Sequence, residues 1–165
     1  MKALLFITIL FSSLFAQDID IKGLKIGMSF EDASKLFKLS KSGNISFATN
    51  KDGTKPTFAS KKIDFLGLKF ENNKIREIAL KIQSDHYDTI IAPLKDKYKM
   101  VCESSIIQNR MGAKFNQEEC VFISNDVQMN VTKYSQNINE SFILVSKPLT
   151  NEELNKSNEK IKSDI

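Results

Sequence analysis

The residues best suited to chemistry are two cysteines. Cys102 and Cys120 are the only cysteines in the chain and stand eighteen positions apart. Midway between them lies Asn109-Arg110-Met111-Gly112, whose residue types suit a hairpin turn. With a three-residue loop Arg110-Met111-Gly112 and Gly112 in the left-handed conformation, Asn109 faces Ala113, Ile107 faces Phe115 and Cys102 faces Cys120. Opposed residues of antiparallel strands sit about 4.5–5.5 Å apart at Cα, within reach of a disulfide. Closing that loop is worth about 3 kcal/mol in the chain-entropy view. The spacing therefore predicts a structural disulfide. The competing readings are two free buried thiols and a redox pair, and the redox reading lacks both a Cys-x-x-Cys spacing and a neighbouring base.

Other reactive residue types are sparse. His86, the single histidine, falls between Asp85 and Asp88 at a predicted helix start, where it reads as a surface residue. The acid pairs Glu31-Asp32, Glu118-Glu119 and Glu152-Glu153 are adjacent in sequence, so their side chains diverge instead of converging across a cleft. Asn50-Lys51-Asp52-Gly53-Thr54 faintly resembles a calcium loop but lacks its alternating ligands and closing Glu. No phosphate-binding glycine loop, nucleophile elbow or zinc helix is present. The residues predict no catalytic site, no metal and no cofactor.

The elements that must position the cysteines are read from periodicity. Ser29 caps a helix carrying Phe30, Ala33, Leu36 and Phe37 on one face, ending between Leu39 and Gly43. The polar stretch from Lys41 to Lys62 holds short strands near Ile45 to Thr49 and Thr57 to Ser60. A hairpin follows, from Ile63 to Phe70 and from Ile75 to Gln83, turning at Asn72-Asn73, with a bulge expected near Phe65, Leu66 and Gly67. Ser84-Asp85 opens a second helix with Tyr87, Ile90, Ile91, Leu94 and Tyr98 on its apolar stripe, and Pro93 predicts a kink or a restart. Four strands complete the pattern: Met100 to Gln108, Ala113 to Ile123, Val127 to Lys133 and Ser141 to Lys147. Turns are expected at Asn125-Asp126 and at Gln136 to Asn139. The expected architecture is a two-layer α+β domain over residues 17–148, with helices packed on a twisted antiparallel sheet that keeps one open face. It reads as two helix-plus-strands units, 22–83 and 84–147, followed by a polar C-terminal tail at 149–165.

Residues 1–16 place a lysine ahead of an apolar run that ends at Ala16, the pattern of a secretory signal peptide too short to span a bilayer. Its removal takes away Lys2 and no acid, lowering the formal net charge of +4 by one. Arg76 and Arg110 are the only arginines, and guanidinium is the group that reads bases and phosphates bidentately. A periplasmic or secreted protein is expected, with no stable membrane insertion and no nucleic-acid partner. The Asn-x-Ser/Thr triplets at Asn44, Asn130 and Asn139 are read as coincidences of composition.

The segment Lys25-Ile26-Gly27-Met28-Ser29-Phe30-Glu31-Asp32-Ala33-Ser34-Lys35-Leu36-Phe37 resembles the opening of a group of small exported α+β proteins. These include the small lipoprotein of the outer-membrane β-barrel assembly machine and the β-lactamase inhibitory proteins. The chain departs from the lipoprotein in lacking its lipid-bearing cysteine. The resemblance implies a protein that presents a sheet or its loops to another protein, and it maps no functional residue onto this chain.

The resulting expectation is an exported, non-enzymatic binding module of the bacterial cell envelope, partnered by another envelope or extracellular protein. Its candidate surface is the open sheet face with two loops, one carrying Asn50 and Asp52 and the other Arg110 and Met111. The alternatives are a carrier of a small apolar ligand and, less favoured, an envelope hydrolase.

Overall fold

The computed structural model describes residues 19–124, 126–135 and 137–148. The signal peptide expected at 1–16, the tail at 149–165, and the turn residues Asn125 and Gln136 lie outside the described residues.

Ten strands and two α-helices make up the described chain. Helix α1 (Phe30–Leu36) precedes strands β1 (Lys38–Ser42), β2 (Ile45–Thr49), β3 (Thr57–Phe58), β4 (Lys61–Lys62), β5 (Phe65–Glu71) and β6 (Lys74–Gln83). A 3-10 turn at Ser84–His86 leads into helix α2 (Tyr87–Tyr98), then β7 (Val101–Gln108), β8 (Lys114–Ile123), β9 (Gln128–Thr132) and β10 (Glu140–Ser146). Eight strands form one sheet in the order β1-β2-β5-β6-β10-β9-β8-β7, and β3 and β4 make a separate two-stranded ribbon. Every pair in the large sheet is antiparallel. Two meanders thus meet where β6 pairs with β10.

This architecture corrects the expected fold class. The described residues are dominated by the sheet and hold only two short α-helices, so they do not form a layer of helices packed on a sheet. The physical reason lies in what covers the inner face. Helix α1 has seven residues, and two of its four predicted apolar positions, Phe30 and Leu36, stay 40% and 43% exposed. Much of the cover comes from irregular chain, with Ile19, Ile21, Leu24 and Ile63 fully buried in the same core as the strands. The stretch read as the end of the first helix is instead β1, an edge strand that pairs with β2 from Lys38 opposite Thr49 to Ser42 opposite Ile45.

Local chemistry explains the elements that form as expected. The Ser29 hydroxyl accepts from the Asp32 amide at 3.1 Å and caps α1. Asn72 and Asn73 both adopt positive φ, as a two-residue hairpin turn between β5 and β6 requires. All five stripe residues of α2 are buried. Pro93 sits inside an unbroken α2, where a kink or restart was expected. It lies on the exposed side of the helix, so the Thr89 carbonyl it leaves without a helical donor can bond to water.

The bulge is displaced from its expected position. Pairing runs regularly from Phe65 opposite Lys81 to Lys69 opposite Glu77, and the register shifts between Lys69 and Phe70. The adjacent apolar residues Phe65 and Leu66 simply face opposite sides of the sheet. Leu66 is in the core, while the Phe65 ring lies across Gly67 on the other side, so close that a Cβ added there would meet its Cζ at 2.5 Å.

Candidate functional site

The side of the sheet turned away from the helices is assembled from the alternate residues of each strand. Register places Phe47 opposite Gly67, Gly67 opposite Ala79 and Ala79 opposite Leu144. The same row continues through Asn130 and Val121 to Val101 at the far edge. Phe65 and Phe142 flank the row on one side and Ile45 and Ile123 on the other. The rings of Phe47 and Phe65 meet edge to face at 5.3 Å. Ile45, Phe47, Ile123 and Val101 are 40, 38, 63 and 66% exposed, Gly67 is buried beneath the Phe65 ring, and Ala79, Leu144, Asn130 and Val121 are half-buried. Apolar side chains therefore mark this face on six of the seven strands and are interrupted on β9, whose residues there are Gln128, Asn130 and Thr132. Charged side chains such as the Lys69–Glu77 pair at 2.7 Å and the Lys81–Glu140 pair at 3.0 Å frame them.

These residues were legible in part. Ile45 and Phe47 alternate with buried Ser46 and Ala48, so a two-residue period was present with both phases occupied by apolar residues. Sequence reasoning placed a short strand near Ile45 to Thr49 without assigning a face to either phase and explained the Phe65-Leu66 adjacency as a bulge. Two apolar phases on one strand were the signal for a sheet with grease on both faces.

The two candidate loops do not converge. Both lie at the same end of the sheet, but six strand positions separate β2 from β7, or about 29 Å at the usual strand spacing. Asn50 and Asp52 are engaged within their own turn. Asn50 Nδ2 donates to Thr54 Oγ1 at 2.9 Å, and Asp52 Oδ1 accepts from the Thr54 hydroxyl at 2.7 Å and the Thr54 amide at 2.9 Å. The Thr54 hydroxyl, and then its amide, hold the Asp52 carboxyl below the usual carboxylate range. At the other tip, Asn109 Oδ1 accepts from the amides of Met111 and Ala113, and Gly112 takes φ +85°. That turn leaves Arg110 exposed and Met111 92% exposed.

Cys102 and Cys120 face one another across β7 and β8, with Cα atoms 4.0 Å apart and sulfurs at disulfide distance. With Glu118 they make up the one cluster of metal-type ligands among the described residues. The sulfurs are joined to each other, so they offer no thiolate to an ion. Around them, Glu118 pairs with Lys95 of α2, and Tyr87 places its hydroxyl 3.9 Å from Cys120 Sγ. Lys133 lies 5.2 Å from the Tyr87 ring centroid and 3.7 Å from Asp88. His86 is separate from this group and pairs with Asp85 at 3.2 Å. Its side chain is half-buried where an exposed ring was expected. Among the other acid pairs, Asp32 is engaged by Lys35 and Ser29, which lower its carboxyl pKa in that order. Glu152 and Glu153 lie outside the described residues.

Burial first, and then the charges of Glu118 and Asp88, push the Tyr87 phenol above its ordinary value. The folded state therefore favours the neutral phenol. The resulting stability is complete below the unfolded-chain value near 10 and is lost as pH rises toward the folded value. Urea unfolding from about pH 9 to pH 12 should show the wild-type protein losing stability more steeply than Tyr87→Phe. Parallel curves for the two proteins would refute this account of Tyr87.

A cleft of about 630 Å³ lies where α1 meets the β5–β6 hairpin. Phe30 and Phe70 meet there at 5.1 Å beside Lys41, Lys69, Glu71 and Arg76. No family model, curated protein or solved structure matches this chain. Among the described residues, no helix is long and apolar enough to cross a membrane.

Proposed function

We propose that this chain is an exported, non-enzymatic interaction module of the bacterial cell envelope, and that it presents its open sheet face to another envelope or extracellular protein. The observation that carries the reading is the apolar band from Phe47 to Leu144, with Val121, Ile123 and Val101 continuing it beyond the polar strand β9. It lies on a rigid eight-stranded support and is framed by charge, the composition expected of a docking surface with a greasy centre and a polar rim. The leader-like residues 1–16 and the cysteine pair at disulfide distance support an oxidising compartment. The resemblance of Lys25 to Phe37 to small exported proteins that offer a sheet to a partner points the same way. A small apolar-ligand carrier has less support, because the cleft beside α1 is lined by exposed Lys41, Lys69 and Glu71 alongside its two rings.

The test is affinity capture from envelope extract with the wild-type protein and with Phe47→Glu and Leu144→Lys. Both side chains point away from the core, so unchanged circular dichroism should accompany both variants. A protein that co-elutes stoichiometrically with wild type and is lost from both variants is the expected result. An identical set of proteins on all three baits would sink the proposal.

A further inference from the structure

We propose that a second copy of this chain pairs with the free edge of β7, antiparallel about a two-fold axis, with Ser104 opposite the partner's Ser104. The inference starts from a difference between the two edges of the sheet, β1 and β7. Strand β1 has five residues and carries Lys38 and Lys41, the short, lysine-bearing form that discourages edge-to-edge pairing. Strand β7 has none of these defences. It has eight residues, with Glu103 as its one charge and no proline, and it pairs with β8 through eight consecutive positions without a bulge. Ile106 is 68% exposed on it.

Which backbone groups face outward follows from the turn. The Asn109 amide donates to the Ala113 carbonyl at 3.0 Å, so this opposed pair is of the hydrogen-bonded type. Antiparallel pairs alternate, which directs the backbone groups of Val101, Glu103, Ser105 and Ile107 toward β8. Those of Cys102, Ser104, Ile106 and Gln108 point outward, where no further strand lies among the described residues. The 4.0 Å Cα separation at Cys102 and Cys120 agrees, because non-hydrogen-bonded pairs are the closer kind.

That outward row is complementary to itself. Opposed residues share a face of the sheet, so a two-fold centred on Ser104 sets Cys102 against the partner's Ile106 on the helix-bearing side. On the open side, it sets Val101 against the partner's Ile107 and Glu103 against the partner's Ser105. Apolar residues meet apolar ones and no like charges meet, whereas centring on Glu103 would oppose two carboxylates. Ser104 exchanges both backbone bonds with its counterpart, and Cys102 and Ile106 do so crosswise, for about six new hydrogen bonds. The pairing is independent of any partner on the open face, and it would extend that face across two copies.

Sedimentation of the oxidised protein over about 1–100 μM should show a monomer giving way to a dimer. Ser104→Pro removes an outward N–H without touching a bond to β8, and Ile106→Lys puts an ammonium on the edge. Each should abolish the dimer while circular dichroism is retained, and Lys41→Ser on the opposite edge should leave it intact. Hydrogen exchange in the concentrated sample should slow at the amides of Cys102, Ser104 and Ile106, and remain unchanged at Glu103 and Ser105. A wild-type protein that stays monomeric throughout would overturn the proposal. So would a dimer that survives Ile106→Lys, or one whose added protection falls outside β7.

Discussion

Replacing Cys102 and Cys120 together by serine is expected to lower the free energy of unfolding by about 3 kcal/mol. The cross-link closes a loop with a sequence separation of 18 and ties an edge strand to its one neighbour in the sheet. Most of β7 is exposed, so burial does little to hold it, and the staple and the backbone ladder to β8 carry the load. The loss should therefore be local before it is global. Hydrogen exchange in the double variant should quicken first at the amides of Glu103, Ser105 and Ile107, which bond to β8, while the amides of β6 keep their protection. Urea unfolding measures the total. A change below about 1 kcal/mol would mean that the bond constrains the unfolded chain far less than its loop length implies.

Leu80→Ala should cost about 3 kcal/mol, within the usual range of 2–5 for a buried leucine. Leu80 lies on β6, beside the seam between the two meanders, and faces Leu66 on one neighbour and Ile143 on the other. All three side chains are at most 2% exposed. The cavity would open where both halves of the sheet meet, so no edge can fray to relieve it. The unfolding midpoint should fall as one cooperative transition, with the urea slope unchanged. The same truncation at Ile106, which is 68% exposed, should move stability by less than about 0.5 kcal/mol. Comparable losses at the two positions would contradict the burial assigned to β6.

Much of the second half was legible because its signals are local. Gly112 and Asn109 define a three-residue turn, and counting outward from it sets Cys102 against Cys120, the pairing that β7 and β8 adopt. Asn72-Asn73 likewise pins one end of β5 and β6. Helix α2 was readable from a stripe of five residues, all of which are buried. Where the reading failed, the local pattern was weak or pointed the other way. Lys38 to Ser42 carries little apolar pattern and becomes a strand only because β2 offers it a ladder. Pro93 was read as an interruption from the usual cost of an interior proline, although it falls off the apolar stripe, on the side of α2 where water can satisfy the Thr89 carbonyl.

The candidate surface shows the same division. Sequence reasoning anticipated a sheet with an open face, yet it named loop residues, and two of these, Asn50 and Asp52, are engaged within their own turn. The residues of the apolar band escaped it. Phe47, Gly67, Ala79 and Leu144 come from four strands, and nothing local to any of those strands sets them side by side.

What the chain determined unaided was short-range: turn chemistry, helix caps, two-residue and helical periodicities, and hence which cysteine meets which. Only the tertiary structure decided the strand order, the two unlike edges and which apolar residues gather on the open face. Those depend on pairing between segments far apart in sequence. A two-residue period says that alternate side chains face opposite ways, but it does not say which of those ways is covered.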